Sequence, residues 1–251
     1  MSDWLLAGVS GLIGASTLLL GAAIAYFVHV PRSVVAGVMA FGAGVLISAL
    51  AYELVEEAND VGGLLPTVTG FLAGAVLFVV ADWLVSRRGG RGRKNAGGTR
   101  AGDGNDSGGS GSAIAVGALI DGIPESIVLG LSVAGGGGLS VPIIAAIAIS
   151  NIPEGLSSTA GMKADGRRAG YVFGVWGGIA GASTLAALLG YLFFGGAGAN
   201  TVAFVTTIAA GGILAMLSNT MIPEAFQRDK VLTGLFATAG FLTAFTLHEL
   251  G

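Results

Sequence analysis

Eight apolar stretches, each long enough to cross the hydrocarbon of a bilayer, leave this chain little freedom in what it folds into. A crossing of about 30 Å takes roughly 20 helical residues, and windows of that length cover approximately residues 4–28, 33–55, 64–86, 113–134, 140–162, 168–194, 201–224 and 231–250. Lipid offers no partner for backbone N–H and C=O groups, so each window is expected to be a helix that satisfies its own. With 53% apolar and 11% charged residues, the chain is far greasier than a water-soluble domain. The expected class is an all-α integral membrane protein of eight transmembrane helices, with residues 1–251 forming a single domain.

The basic residues test that count independently. Arg32 falls between the first two windows, and Arg87, Arg88, Arg91, Arg93, Lys94 and Arg100 follow the third. Lys163, Arg167 and Arg168 follow the fifth, and Arg228 and Lys230 the seventh. All 12 therefore lie on one side of an eight-span map. The positive-inside rule makes that side cytoplasmic, which puts both termini outside the plasma membrane. The Met1-Ser2-Asp3 start lacks the basic residues of a signal peptide and the first apolar run is too long for one, so it is expected to stay as a helix. Residues 87–112 turn from basic to Gly, Ser, Asn and Asp rich and read as a disordered cytoplasmic linker.

Two internal likenesses stand out. Gly44-Val45-Leu46 followed by Glu57-Ala58 in the second span resembles Gly212-Ile213-Leu214 followed by Glu224-Ala225 in the seventh, with spacing one residue different. These spans run in opposite directions, as expected of inverted repeats of three helices around a central pair. Among the 45 glycines, Gly174 to Gly178 and Gly177 to Gly181 are expected to mark tight helix packing.

The central pair carries the second likeness. The fourth span reads Ile120-Asp121-Gly122-Ile123-Pro124-Glu125-Ser126, and the fifth Ile149-Ser150-Asn151-Ile152-Pro153-Glu154-Gly155. Asp121 and Glu125 are four apart, as are Ser150 and Glu154, so each pair shares a helix face. Pro124 and Pro153 donate no amide hydrogen, which releases the carbonyls of Ile120 and Ile149. Left bare at the bilayer centre, Asp121, Glu125 and Glu154 would together cost on the order of 8–10 kcal/mol. No lysine or arginine lies within a membrane interior to offset this, leaving protonation, water or a bound cation. With no cysteine and only His29 and His248 in the chain, thiolate ligands and imidazole-rich sites are excluded. The donors Asp121, Glu125, Ser150, Asn151 and Glu154 are all oxygen, which by softness suits Mg, Ca, Mn or Fe(II), while the divalent affinity order still favours Zn over Mn.

Glu53, Glu56, Glu57 and Asp60 cluster at the outer end of the second span, where their field would concentrate cations, Glu53 being the most credible functional member. Asp82, Glu224, His29 and His248 read as interface residues, and Trp4, Trp83 and Tyr52 as an aromatic belt.

On these motifs the chain resembles the ZIP (Zrt-, Irt-like) family of divalent metal transporters over nearly its whole length. That family usually carries His-Asn-x-Pro-Glu-Gly in span four, against Asp121 to Ser126 here, and a His-led Pro-Glu motif in span five, against Ser150 to Gly155. Glycine-rich Phe41 to Ala58 looks like the family's second span, and Gly211 to Ala225 like its seventh. The resemblance implies a metal centre between spans four and five, gates on either side, and a homodimer in the bilayer. Of the family's ligand positions it leaves Glu125, Asn151 and Glu154, with Asp121 as a substitute; the residues themselves add Ser150, and Glu53 at the outer mouth. Asp121, Gly122 and Ser150 replace the family's His, Asn and His, and Gly181 stands where many bacterial members place a glutamate. One principal site is therefore expected where the family has two. The expected function is secondary transport of Zn, Mn, Fe or a similar divalent cation into the cytoplasm, with no permanently bound cofactor, no enzymatic activity and no nucleic-acid partner. The alternatives are an intramembrane aspartyl-type hydrolase using Asp121 and a second carboxylate, and a degenerate homologue that binds metal without moving it.

Overall fold

The computed structural model describes residues 2–87, 109–134, 140–228 and 230–250. Among these the chain is all helix, in eight rods: α1 (Asp3–Phe27), α2 (Arg32–Gly62), α3 (Leu64–Arg87), α4 (Gly109–Ser132), α5 (Val141–Ala164), α6 (Ala169–Phe194), α7 (Ala199–Gln227) and α8 (Thr233–Leu250). Six of them, α1, α2, α3, α5, α6 and α7, are long and apolar enough to cross a membrane. They mark the chain as a multi-pass membrane protein. Among the described residues the apolar stretch of α4 is Gly122–Ser132, and α8 ends in polar His248-Glu249. The expected linker lies mostly outside the described residues, but its edges do not fit: Arg87 still belongs to α3, and α4 already begins at Gly109.

Local chemistry fixes several ends. The Ser140 hydroxyl accepts the Ile143 amide at 3.4 Å and Pro142 sits in the first turn of α5, where a missing N–H costs nothing. At its other end Gly166 takes a φ of 75°, so that the amides of Gly166 and Arg167 reach back to the carbonyls of Lys163 and Met162. Gly63, with a φ of 79°, turns the chain from α2 into α3.

Helices α1, α4, α5 and α6 form one bundle and α2, α3, α7 and α8 another. They meet where α2 lies on α5 and α4 on α7. An apolar core including Leu46, Leu50, Leu54, Val128, Ile147 and Ile213 fills that seam.

Close backbone approaches set the register, and they come in matched sets. A Cβ on Gly44 would collide with the Ala237 carbonyl, and one on Gly240 with that of Phe41, where α2 meets α8. On Gly211 it would strike the Phe71 carbonyl, and on Gly74 that of Ile208, where α7 meets α3. These are one contact written twice: Phe41 and Gly44 on α2 answer to Ile208 and Gly211 on α7, and Phe71 and Gly74 on α3 to Ala237 and Gly240 on α8. The other bundle repeats the pattern. Gly21 lies on the Ile152 carbonyl and Gly155 on that of Leu18; Gly190 lies on the Ile127 carbonyl and Gly130 on that of Ala187. Here Leu18 and Gly21 on α1 answer to Ala187 and Gly190 on α6, and Ile127 and Gly130 on α4 to Ile152 and Gly155 on α5. In lipid such glycines let helix backbones close to dispersion distance, which is what holds apolar helices together there.

Two expectations change. Gly44 pairs with Gly211 rather than Gly212, and the one-residue difference in spacing to Glu57 and Glu224 disappears. Four of the α6 glycines are not packing sites within the chain: Gly174, Gly177, Gly178 and Gly181 are exposed, and a Cβ on any of them would meet nothing within 4 Å. Buried Val172, Trp176, Ile179, Ser183 and Ala187 mark the inward face of α6, and the glycines fall on the opposite one.

Both α2 and α7 pass through a π-helical segment, Leu50–Glu56 and Leu217–Met221. Their first residues, Leu50 and Leu217, are matched by the same register that sets Gly44 against Gly211. Nothing in the local sequence announces either segment. π-Bulges shift the face a helix presents and concentrate at functional sites.

Candidate functional site

Four polar side chains lie buried beside the two helix prolines: Glu125 is 2% exposed, Ser126 5%, Ser150 2% and Asn151 4%. The register that sets Gly130 against Gly155 also sets Glu125 against Ser150 and Ser126 against Asn151, so the four occupy equivalent places on α4 and α5. Glu125 is the only buried carboxylate among the described residues, and no described lysine or arginine is buried.

Hydrogen bonds orient the group. Asn151 Nδ2 donates to the Gly14 carbonyl of α1 at 3.0 Å, which fixes the amide and leaves its own oxygen as an acceptor. The hydroxyls of Ser150 and Ser126 donate to the carbonyls of Ile147 at 2.9 Å and Gly122 at 2.6 Å, so their oxygens keep lone pairs available. Pro124 and Pro153 sit inside α4 and α5, and the Ile120 and Ile149 carbonyls therefore have no amide four residues on. At Gly42 the α2 backbone comes against the Cα of Ser150 and the ring of Pro153. A side chain there would push α2 off the site.

The predicted residues divide. Glu125 on α4 and Ser150 and Asn151 on α5 are all buried, and Glu154 is half-buried one turn further along α5. Asp121 lies on α4 one turn before Glu125, with its side chain outside what is described. Glu53 is elsewhere: it meets His248 Nδ1 at 2.6 Å, with the Tyr52 ring stacked on the imidazole, which ties the last turn of α8 to the π segment of α2. Among the described residues no three His, Asp or Glu side chains converge to hold a metal.

Ser126 and Ser183 escaped the sequence reading. Ser183 is 2% exposed, and a Cβ on Gly122 would lie 3.4 Å from its hydroxyl. It is therefore Ser183, not the exposed Gly181, that faces α4. The inward periodicity of α6 was the signal for it.

A cleft of about 150 Å³ opens beyond the group, lined by Glu53, Glu57, Val61, Ser132, Val202 and Thr206 among others. Leu54, Val128 and Ile143 form its floor, and with Leu50, Ile147 and Ile213 they enclose a smaller, wholly apolar space. Val128 follows Glu125 and Ile147 precedes Ser150 by just under one helical turn, so this plug separates the cleft from the buried polar group. At the opposite end, marked by Lys163 and Arg167, the Ser157 hydroxyl donates to Glu224 Oε1 at 2.6 Å. This bond joins α5 of one bundle to α7 of the other.

A scan of protein-family models finds no match to this chain, and a search of curated proteins finds none either.

Proposed function

We propose that the chain is a ZIP-like carrier that moves a divalent cation into the cytoplasm across the plasma membrane. In this reading all eight helices cross the bilayer, with α1–α3 and α6–α8 as inverted repeats around α4 and α5 and with both termini outside. The cation is the substrate, and no resident cofactor is required. Glu125 and the carbonyl oxygen of Asn151 are its principal ligands, Ser150 and Glu154 lie close by, and Asp121 completes the set from α4. The unit of function is a homodimer.

One observation carries the proposal: a carboxylate 2% exposed on α4, matched in register by a buried hydroxyl and followed by a buried amide on α5, in a pair of helix bundles whose contacts repeat. Burying a charge is costly unless something matches it, and oxygen donors of this kind suit a hard or borderline dication. The seam is where repeats can rock to expose a central site alternately to each side. Glu53 and Glu57 at the cleft draw cations toward the outer mouth.

Uptake of Zn, Mn and Fe(II) into liposomes containing the purified protein tests this, with Glu125→Gln and Glu154→Gln beside wild type. The proposal requires wild-type flux and its loss in Glu125→Gln; undiminished flux in both variants rejects it. A second reading draws on the absence of three converging His, Asp or Glu side chains among the described residues. On that reading the chain binds a cation at Glu125 without moving it. Calorimetric binding that Glu125→Gln removes, in a protein that gives no flux, selects this reading.

A further inference from the structure

The matched register of the two halves assigns each contact a counterpart, and one contact lacks it. Ser157 on α5 donates to Glu224 on α7. The register that sets Gly155 against Gly130 sets Ser157 against Ser132 on α4, and the one that sets Gly211 against Gly44 sets Glu224 against Glu57 on α2. The residue types are the same at both ends, and the flanking Ala58 and Ala225 are alike buried. Yet the contact is made at one end only. Ser132 turns its hydroxyl to the Leu129 carbonyl of its own helix at 2.9 Å, Glu57 is exposed, and both line the cleft.

We propose that Ser157–Glu224 and Ser132–Glu57 are two latches that close in alternation as the bundles rock. The inference rests on the carrier reading and assigns it the residues that hold each end shut. Geometry makes the two exclusive. Glycine contacts tie α4 to α6 through Gly130 and Ala187, and α5 to α1 through Gly155 and Leu18, so α1, α4, α5 and α6 move as one body. Bringing Ser132 to Glu57 tips that body toward α2 at the cleft and carries Ser157 away from Glu224 at the far end. The arrangement seen here has the Glu224 latch closed and the cleft open.

The chain has no cysteine, so a single Thr206→Cys on the wall of the cleft reports its opening. Its labelling by a maleimide is followed in metal-free nanodiscs. Adding Ser157→Ala is expected to lower the ratio of open to closed cleft about fivefold, the bias one hydrogen bond supplies. Ser132→Ala is expected to raise that ratio, and the double variant to return it toward the parent. Glu224→Gln keeps an oxygen to accept the Ser157 hydroxyl but loses the charge that strengthens the bond, so it is expected to shift the ratio in the same direction as Ser157→Ala and by less. Shifts of Ser157→Ala and Ser132→Ala in the same direction, as simple loosening of the fold would give, overturn the latches, and so does labelling that neither changes. Labelling needs no cargo. Opposed shifts in a protein without cation flux keep the latches and reject the carrier, whereas unchanged labelling with Glu125-dependent flux rejects the latches alone.

Discussion

Helices α4 and α5 each bring a glutamate directly after a proline, yet Glu125 is 2% exposed while Glu154 is only half-buried. Aligning the two Ile-Pro-Glu triplets sets Glu125 against Glu154, whereas the backbone contacts of Gly130 and Gly155 set Glu125 against Ser150. The mismatch is just over one helical turn, about 6 Å of rise. Glu154 therefore stands in the place of Leu129, and the place of Glu125 is taken on α5 by Ser150. A repeated motif is here not a repeated site. The slip leaves one buried carboxylate, with a hydroxyl at the matched place on α5, rather than a symmetric pair of buried acids.

That difference is tested hardest by removing each acid in turn. Glu125→Ala is expected to lower cation affinity by more than the roughly 10–100-fold typical of groups that only support a metal's ligands. Glu154→Ala, one turn away and half-buried, is expected to fall within that range. Binding measured by calorimetry separates them, and equal losses would mean that the two triplets are equivalent after all.

The helices were legible in outline because hydropathy and charge mark their runs and their ends: Arg32, Lys163 and Arg168 sit at or just beyond helix ends, and no described basic residue is buried. Of the site, Glu125, Ser150 and Asn151 were legible as polar atoms in apolar windows. The register was not. Gly44, Gly130 and Gly155 differ from Gly174 and Gly178 only in what lies opposite them, a tertiary fact that a glycine spacing does not encode. The π segments were hidden for a related reason: Leu50–Glu56 and Leu217–Met221 contain no proline or glycine to mark a break in the hydrogen-bond ladder. Ser126 and Ser183 are small and common in lipid-embedded helices, so only burial singles them out.

The slip predicts that residues matched by backbone register respond alike, even where the triplets do not. Gly130→Ala would drive a methyl group into the Ala187 carbonyl, and Gly155→Ala into that of Leu18. Both oppose rigid backbone, so each is expected to cost about 1–3 kcal/mol as overpacked cores do. Gly174→Ala, with nothing within 4 Å, serves as the neutral control. Thermal unfolding in detergent measures all three. A large effect at Gly130 with none at Gly155 would break the correspondence between α4 and α5.

The smallest effects separate position from bonding. Ser126 and Asn151 occupy matched places and are almost equally buried, but their hydrogen bonds go to different helices. Asn151 reaches across to the Gly14 carbonyl of α1, whereas Ser126 bonds one turn back along α4. Asn151→Ala removes a buried bond that crosses from α5 to α1 and opens a gap between them, although Thr17 still donates to the Gly14 carbonyl, with an expected cost of about 1–3 kcal/mol. In Ser126→Ala the Gly122 carbonyl loses only an extra, local donor, so the cost is expected below about 1 kcal/mol. Asn151→Asp sharpens the contrast, because it exchanges the amide donor for a second buried carboxylate. Without cation that variant is expected to be less stable than wild type, and saturating Mn or Zn is expected to restore more stability to it than to Asn151→Ala. Equal stabilisation of the two variants by metal would show that the Asn151 oxygen holds helices together and takes no part in binding.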